Sequence, residues 1–271
     1  MSSPDAGGTL ERVNSYFTTD DGVWFLPTDH ARGPWNPDAC HAGPPTGLMV
    51  RELERLVPNG RLARVVVELM KPVPMAGFRI QAEVRRPGRS AIATEAEIFD
   101  DDRVYARAFG LHLRVNPETD LPTVHVETPE FERSVPGPFP IVQTAHGLPG
   151  FSGSLEVRYD PAESQGAGGP TTVWMRTVAL LPDEEPSGFQ RVCPLADSGN
   201  GISYNAYLDR MTFVNPDLVV ALHREPRGEW ICSRVRSHWE RDGIGLSDAE
   251  LFDVDGHVGR AVQTILIDPV V

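Results

Sequence analysis

The chain of 271 residues is long enough for one large domain or two smaller domains with a hydrophobic core. Its formal net charge of −13 argues against a nucleic-acid-binding protein, because no stripe of Lys and Arg opposes that charge. The sequence contains no run of about eighteen apolar residues and no apolar signal region, so we expect neither a membrane span nor a secreted protein.

The first half predicts a hairpin, a helix and four strands. Two short β-rich runs at 12–18 and 23–26 flank an Asp-Gly turn, and an irregular loop then extends to Gly43. A helix is predicted over 44–56, because prolines occupy its first positions and apolar residues recur at helical spacing. Strands separated by turn sequences are predicted at 62–70, 78–86, 91–99 and 104–114.

Residues 116–150 are rich in Pro, Gly and acidic residues without periodicity, which is typical of a connector. A helix is predicted from Ser187, its N-cap, to about Ser198, and Pro194 predicts a kink within it. A Gly-rich loop is predicted at 165–170. The strands predicted in the second half lie at 155–159, 172–180, 204–213, 218–223, 230–239, 245–252 and 257–267.

The two halves are related by a constant offset of 153 positions. Residues 65–108 fall on 218–261 without a gap, and seven of 13 positions are identical between 96–108 and 249–261. This self-similarity indicates a tandem duplication of one module. We therefore expect a first module at 1–115, a connector at 116–150 and a second module at 151–271.

Each half reads as strand, helix and then a long antiparallel meander, which indicates the α+β class. Several motifs resemble those of the double-hotdog acyl-CoA thioesterases (type II, TesB-type). Cys40-His-Ala-Gly-Pro-Pro-Thr-Gly is similar to that family's Gly-Gly turn entering the first helix, and Leu69-Met-Lys-Pro-Val-Pro is similar to its Phe-Leu-Arg-Pro-Gly strand end. The second half carries an ordered set of further motifs: Ala196-Asp-Ser-Gly-Asn, Val214-Asn-Pro-Asp, Leu222-His-Arg-Glu-Pro, Glu229-Trp and Val262-Gln.

The resemblance covers almost the whole chain and implies a tandem (double) hotdog, with two antiparallel sheets that each wrap around one central helix. It also implies a catalytic trio of Asp197, Asn215 and Gln263, where Asn215 stands at a position that is Thr or Ser in the family. Asp197 would activate a water molecule as general base, and Asn215 and Gln263 would hold that water for attack on an acyl thioester.

Four further residues are expected to bind the substrate. Backbone N–H groups near Gly199 and Asn200 could stabilise the oxyanion of thioester hydrolysis. His41 and Gly43, beside the first helix, could line the site, although a capping or packing role is the commoner one for such a histidine. Asp38 is too close to His41 for the Asp/His pattern of hotdog dehydratases.

The 153-residue offset places Pro44, Leu62 and Gly110 opposite the trio, so we expect a single active site, in the second module. Arg85, Arg86 and Arg89 form the best local basic cluster and could meet the phosphates of coenzyme A, but a solvated hairpin tip is the commoner explanation.

We expect no cofactor and no metal, because no spacing of His, Cys and acidic residues favours one. Cys40, Cys193 and Cys232 are few and far apart, so a reduced cytoplasmic chain is expected. The leading hypothesis is a thioester hydrolase of fatty acid metabolism that acts on acyl-CoA or another acyl thioester, in a homodimer or homotetramer without nucleic-acid or membrane partners. A non-catalytic acyl-CoA-binding hotdog protein and a hotdog enoyl-CoA hydratase are the alternatives.

Overall fold

The computed structural model describes residues 14–116, 119, 121–141, 146–162, 169–206 and 210–269. The start of the first predicted β-rich run and most of the predicted loop at 165–170 lie outside the described residues. The proposed module boundaries stay a prediction.

The first half contains the predicted hairpin, helix and meander. Asp21 fixes the hairpin turn, since its carboxylate accepts hydrogen bonds from the N–H groups of Val23 and Trp24. Two prolines occupy the first turn of the helix, as predicted. The elements are β1 (Phe17–Thr18), β2 (Trp24–Pro27), a 3₁₀ turn (Asp29–Ala31), α1 (Gly43–Leu56), β3 (Arg61–Leu69), β4 (Phe78–Arg86), β5 (Ala91–Phe99) and β6 (Val104–Leu113).

In the second half, Ser187 caps the predicted helix by accepting the N–H of Gln190. The elements are a 3₁₀ turn (Phe131–Arg133), β7 (Val135–Pro136), a 3₁₀ turn (Phe151–Ser154), β8 (Leu155–Tyr159), β9 (Thr171–Thr177), α2 (Gly188–Ala196), α3 (Gly199–Ile202), β10 (Met211–Val214), β11 (Asp217–Leu222), β12 (Ile231–Trp239), β13 (Ile244–Asp253) and β14 (Gly256–Pro269).

Two local predictions differ from the structure. The strand predicted over 204–213 begins only at Met211, and Tyr204 instead stacks its ring on Phe213, with centroids 6.5 Å apart. The short helix α3 was not predicted, since Gly-Asn-Gly has a low helix propensity. It forms because the carbonyl of Ser198 accepts hydrogen bonds from the N–H groups of Gly201 and Ile202.

The fourteen strands of the described residues form one antiparallel sheet. Its order is β1-β2-β4-β5-β6-β3-β11-β14-β13-β12-β9-β8-β7, and β10 pairs with β14. The expectation of two sheets is therefore wrong. The two meanders are joined because β3 and β11 pair along Arg64–Val67 and Leu218–Ala221, which leaves no sheet edge between the halves.

The register of this sheet follows the sequence repeat. At the seam, Val66 of β3 pairs with Val219 of β11, and these residues are themselves 153 positions apart. The pairing of Ala96 with Ala108 between β5 and β6 recurs at the same offset between β13 and β14. A two-fold rotation about the Val66–Val219 pair would relate the two halves in this way. The recurring register therefore supports the duplication.

The helices α1 and α2 pack antiparallel to each other on one side of the sheet. Glycines permit their close approach: a Cβ on Gly43 would lie 2.7 Å from the carbonyl oxygen of Pro194, and one on Gly47 would lie 3.4 Å from that of Gln190. The apolar side chains of both helices share one core cluster with the sheet, including Leu48, Met49, Leu53, Phe189, Val192 and Leu195. This core fixes the ends of the two helices relative to each other.

The motif Leu222-His-Arg-Glu-Pro has a structural role. Both oxygens of the buried Asp253 carboxylate accept hydrogen bonds from Arg224, at 2.6 Å each. The next residue, Glu225, accepts the N–H of Phe189 in the first turn of α2. The motif therefore links the end of β11 to the turn between β13 and β14 and to the start of α2.

Candidate active site

Asp197 lies where the end of α2 meets the start of α1. It is the C-cap residue of α2, and its residue surface is only 4% exposed. Oδ1 accepts hydrogen bonds from Asn215 Nδ2 at 2.8 Å and from Gln263 Nε2 at 3.1 Å. Oδ2 lies 3.2 Å from His41 Nδ1. The carboxylate is thus held by groups from both halves of the chain.

Asn215 occupies the turn between β10 and β11. Its Nδ2 donates to Asp197 and also to the carbonyl oxygen of Asp217, at 3.1 Å. Its Oδ1 accepts from Asn200 Nδ2 at 3.1 Å. The amide therefore donates both of its N–H groups, and Oδ1 has a second lone pair that can accept a further hydrogen bond.

Gln263, on β14, is 1% exposed and stands behind Asp197. Its Nε2 donates to the backbone carbonyl and to Oδ1 of Asp197, at 3.1 Å each, and its Oε1 accepts the N–H of Asn200 at 3.1 Å. Only glycine fits at 199, since a Cβ there would lie 2.6 Å from Ser247 Oγ and 2.9 Å from Gln263 Oε1. Gln263 therefore orients both Asp197 and the start of α3.

Burial controls the electrostatics of this site. Loss of hydration raises the pKa of Asp197, against the opposing effects of His41, Asn215, Gly43 and Gln263. Burial also lowers the pKa of His41, although the charge of Asp197 opposes that shift. The imidazole is neutral near pH 7 for this reason. Its ring stacks on Phe151 with centroids 3.9 Å apart.

The first turn of α1 completes the surroundings of the carboxylate. The N–H of Gly43 donates to His41 Nδ1 at 3.2 Å and also favours the charged form of Asp197. The positive end of the helix dipole therefore faces the carboxylate. His41 Nδ1 therefore lies between two groups, since the Gly43 nitrogen and Asp197 Oδ2 are each 3.2 Å from it.

A cavity of about 480 Å³ opens beside Asp197. The polar residues in its wall include His41, Asp197, Ser198, Asn200 and Asn215, with Arg32 and Lys71 as the cations. Most of the remaining wall is apolar, formed by Trp35, Leu69, Met70, Val73, Phe139, Ile141, Phe151, Phe213, Val214 and Leu266. An apolar hollow with a few convergent polar groups suits an acyl chain with one reactive polar end.

The structure brings all seven predicted site residues together. Four of them line the cavity, namely His41, Asp197, Asn200 and Asn215. The other three lie behind that wall: Gln263, Gly199 and Gly43. The N–H of Asn200, predicted as an oxyanion donor, is already engaged by Gln263.

Sequence reasoning missed the pairing of His41 with Asp197. The sequence predicts no Asp/His pair because Asp38 is too close to His41, but the partner of His41 comes from the other half of the chain. Ser198 was also missed: its Oγ is buried in the cavity wall and has no hydrogen-bond partner among the described residues. Nothing in the local sequence signals either feature, since both depend on how α1 and α2 meet.

The other end of the helix pair holds a similar arrangement, and its residues are not in the wall of this cavity. Glu54, near the end of α1, accepts hydrogen bonds from Ser187 Oγ at 2.8 Å and from Gln190 Nε2 at 2.6 Å at the start of α2. Burial raises the pKa of Glu54, as it does for Asp197. Each helix thus ends in a carboxylate at the start of its partner, but only the Asp197 end opens into the cavity.

Within the described residues, no group of His, Cys, Asp and Glu is placed to hold a metal ion. No helix in the described ranges is both long and apolar enough to cross a membrane.

Two family models match the sequence. The acyl-CoA thioesterase N-terminal domain matches residues 31–113, and the acyl-CoA thioesterase C-terminal domain matches residues 123–267. No curated protein matches the chain.

Solved structures show the same fold at low identity. A hot dog fold protein of unknown function from Alicyclobacillus acidocaldarius is 17% identical, with a TM-score of 0.69 over 93% of this chain and 96% of that one. The tesB protein of Mycobacterium avium subsp. paratuberculosis is 14% identical, with a TM-score of 0.65 over 93% and 96%. The acyl-CoA thioesterase II TesB2 of Mycobacterium marinum is 13% identical, with a TM-score of 0.63 over 94% and 95%. The two domain models together span most of the described chain, and we conclude that it belongs to the acyl-CoA thioesterase family of hotdog-fold thioester hydrolases.

Proposed function

We propose that the chain hydrolyses acyl-CoA thioesters in the 480 Å³ cavity, with Asp197 as the general base. The observation that carries this proposal is the placement of a buried carboxylate at the wall of an apolar cavity. Its Oδ1 is fixed by two amide donors, Asn215 and Gln263, which leaves Oδ2 as the oxygen available to a water molecule.

In this mechanism, Asp197 takes a proton from water while the water oxygen attacks the thioester carbonyl carbon. The tetrahedral intermediate then collapses, the C–S bond breaks, and Asp197 returns the proton to the departing thiolate. The raised pKa of Asp197 favours this exchange, because a base works best when its pKa is near the operating pH. A positioned base of this kind contributes roughly 10²–10⁴-fold in rate.

The two amides would act at different distances from the reaction. Asn215 lines the cavity, and its remaining lone pair could accept a hydrogen bond from the attacking water. Gln263 lies behind the wall with its bonds committed, so it would hold the carboxylate of Asp197 rather than the water. Gln263 is thus proposed as a positioning residue.

His41 would supply the oxyanion contact. In the tautomer that would serve this role, Nδ1 accepts the N–H of Gly43 and the proton of the neutral ring is on Nε2. A neutral imidazole can donate that hydrogen bond to a carbonyl oxygen without giving up the proton. Stacking on Phe151 holds the plane of the ring. Loss of one oxyanion donor costs about 2.7–4 kcal/mol in the barrier.

The test is thiol release from a panel of acyl-CoA chain lengths, with wild type, Asp197→Asn and Asp248→Asn. Asp248 is the matched control, since its carboxylate is paired with Arg260 on an exposed part of the sheet. Asp197→Asn should lower kcat by about 10²–10⁴-fold, and Asp248→Asn should not change it. Equal rates in wild type and Asp197→Asn would rule out this mechanism.

The contact of His41 with Asp197 also favours a second candidate, an enoyl-CoA hydratase, because it supplies the Asp/His pair that hydration chemistry uses. Hydration of crotonyl-CoA without thiol release would establish this activity in place of hydrolysis. Thermal stabilisation by acyl-CoA with neither reaction would instead indicate a non-catalytic binding protein.

We further propose a homodimer or homotetramer that acts in cytoplasmic fatty acid metabolism. The support is physical: β7 ends the sheet with no further strand paired beside it among the described residues, and natural proteins tend to cover such edges. Light scattering across a concentration series would show only the monomer mass if this proposal is wrong.

A further inference from the structure

Lys71 is the only lysine in the chain. The other 24 of the 25 cationic residues are arginines. Lysine and arginine bind anions differently, because an ammonium is a compact point charge on a flexible stem and a guanidinium is a planar fork that grips fixed partners. The position of the single lysine is therefore informative.

Lys71 lies in the wall of the catalytic cavity and is exposed. Its backbone follows β3 and is tied down, because the N–H of Lys71 donates to the carbonyl of Tyr105 at 3.0 Å. Two residues before it, the N–H of Leu69 donates to the carbonyl of Pro216, next to Asn215. Two residues after it, the carbonyl of Val73 accepts the N–H of Cys40, next to His41. Residues 69–73 therefore run from the side of the site that holds Asn215 to the side that holds His41.

The two cations of the cavity wall differ in their partners. Arg32 is committed to the fold, since it bonds Asp29 Oδ1 at 2.5 Å and the carbonyls of Pro37 and Pro149 at 3.0 and 2.9 Å. The ammonium of Lys71 makes no hydrogen bond or ion pair with the described residues. Lys71 is thus the uncommitted positive charge at the cavity, in a chain whose net charge is −13.

We propose that Lys71 is the contact for a phosphate group of coenzyme A at the mouth of the cavity. This inference rests on the proposed function, since it places the thioester beside Asp197 with the thiol carrier leaving past Lys71. A polyanionic carrier approaching an acidic protein is repelled overall, so an unpaired ammonium at the entrance favours the productive approach. The exposed side chains of Met70 and Trp35 on the same wall give apolar surface for the rest of the carrier.

The basic cluster predicted from the sequence does not fill this role in the structure. Arg85, Arg86 and Arg89 are absent from the cavity wall. Arg85 is paired with Glu83 at 2.7 Å and with Glu95 at 3.0 Å on the β4–β5 hairpin. The carrier contact is thus assigned to the one lysine rather than to the arginine-rich turn.

Because Lys71 carries the only side-chain amine, its accessibility can be measured directly. An amine-reactive acylating reagent is applied to the full chain, alone or with CoA, phosphopantetheine or pantetheine, and the modification of Lys71 is quantified by mass spectrometry. CoA and phosphopantetheine should slow the labelling, and pantetheine, which has no phosphate, should not. Unchanged labelling with CoA, or equal protection by pantetheine, would overturn the assignment.

Kinetics give a second readout. Lys71→Met should raise KM for acyl-CoA roughly two- to fivefold, as expected for an exposed ion pair, and leave kcat unchanged. KM for the uncharged acyl thioester of N-acetylcysteamine should not change, and Lys71→Arg should retain most of the affinity for acyl-CoA. The effect on acyl-CoA should shrink as salt is added. An equal effect on both substrates would contradict the proposal.

The two proposals fail in different ways. Asp197→Asn should lose hydrolysis while CoA still protects Lys71 from labelling. In the wild type, protection of Lys71 without any thioesterase activity would refute the role of Asp197 alone. Hydrolysis without protection would refute the role of Lys71 alone.

Discussion

Gly43→Ala tests whether the close contact between the two helices sets the geometry of the site. The new Cβ would lie 2.7 Å from the carbonyl oxygen of Pro194, whereas ordinary contacts begin at 3.4 Å, so the helices must separate by about 0.7 Å. The obstacle is backbone on α2, which cannot rotate away. His41, two residues before α1, would then move away from Asp197, the C-cap residue of α2. A misplacement of about 1 Å can cost about 10²-fold in rate.

We therefore expect Gly43→Ala to lower kcat/KM by about 10- to 100-fold. Overpacking of this kind destabilises by about 1–3 kcal/mol, which corresponds to a fall in Tm of about 2–12 °C for a chain of this size. Thiol release and thermal unfolding measure the two effects. Gly153→Ala is the matched control, because a Cβ there meets nothing within 4 Å, and neither quantity should change. An unchanged kcat/KM in Gly43→Ala together with a lowered Tm would refute the link between helix spacing and catalysis.

Three further outcomes are expected. Burial raises the pKa of Asp197 above its ordinary 3.8, so the folded wild type binds this proton more tightly than the unfolded chain does. The stability of the wild type therefore falls as the pH rises from the unfolded pKa to the folded pKa of Asp197. Asp197→Asn lacks this penalty, so its Tm relative to wild type should rise as the pH is raised above about 4, and a pH-independent difference would contradict the shift. Gln263→Leu should lower stability by about 1–3 kcal/mol, since it leaves the N–H of Asn200 unpaired, and should lower kcat through Asp197; denaturant unfolding and thiol release test both parts. Arg224→Met should cost about 3–5 kcal/mol in denaturant unfolding, because Asp253 would remain as a buried unpaired charge, and a loss below about 1 kcal/mol would show that the pair is dispensable.

The repeat and the turn residues made much of the fold predictable. Strands β4 and β5 have the predicted bounds, since Arg-Pro-Gly-Arg and the acidic run after Phe99 end them. The prediction of two sheets was wrong because local pattern cannot show which edges pair. Val66 and Val219 are apolar strand residues in either arrangement. Only the pairing of β3 with β11 distinguishes one continuous sheet from two separate sheets.

The polar residues of the candidate site could be chosen from ordered motifs, but their bonds could not. Gln263 is one of the buried residues that alternate along β14. Nothing in its sequence context indicates that it donates a hydrogen bond to the end of α2. The contact between His41 and Asp197 joins residues of different halves. It depends on how closely Gly43 approaches Pro194, which is a tertiary property.

The seam about Val66 and Val219 also has a consequence for the origin of the single reaction centre. One ancestral module would expose β3 as a bare edge, and a second identical module would complete it in the same antiparallel register. Joining the copies in one polypeptide makes that association independent of dilution. In a pair of identical subunits every substitution appears twice, so both ends of the helix pair must change together. The tether removes this constraint. Asp197, at the end of α2, faces the cavity, whereas Glu54, near the end of α1, accepts hydrogen bonds from Ser187 and Gln190.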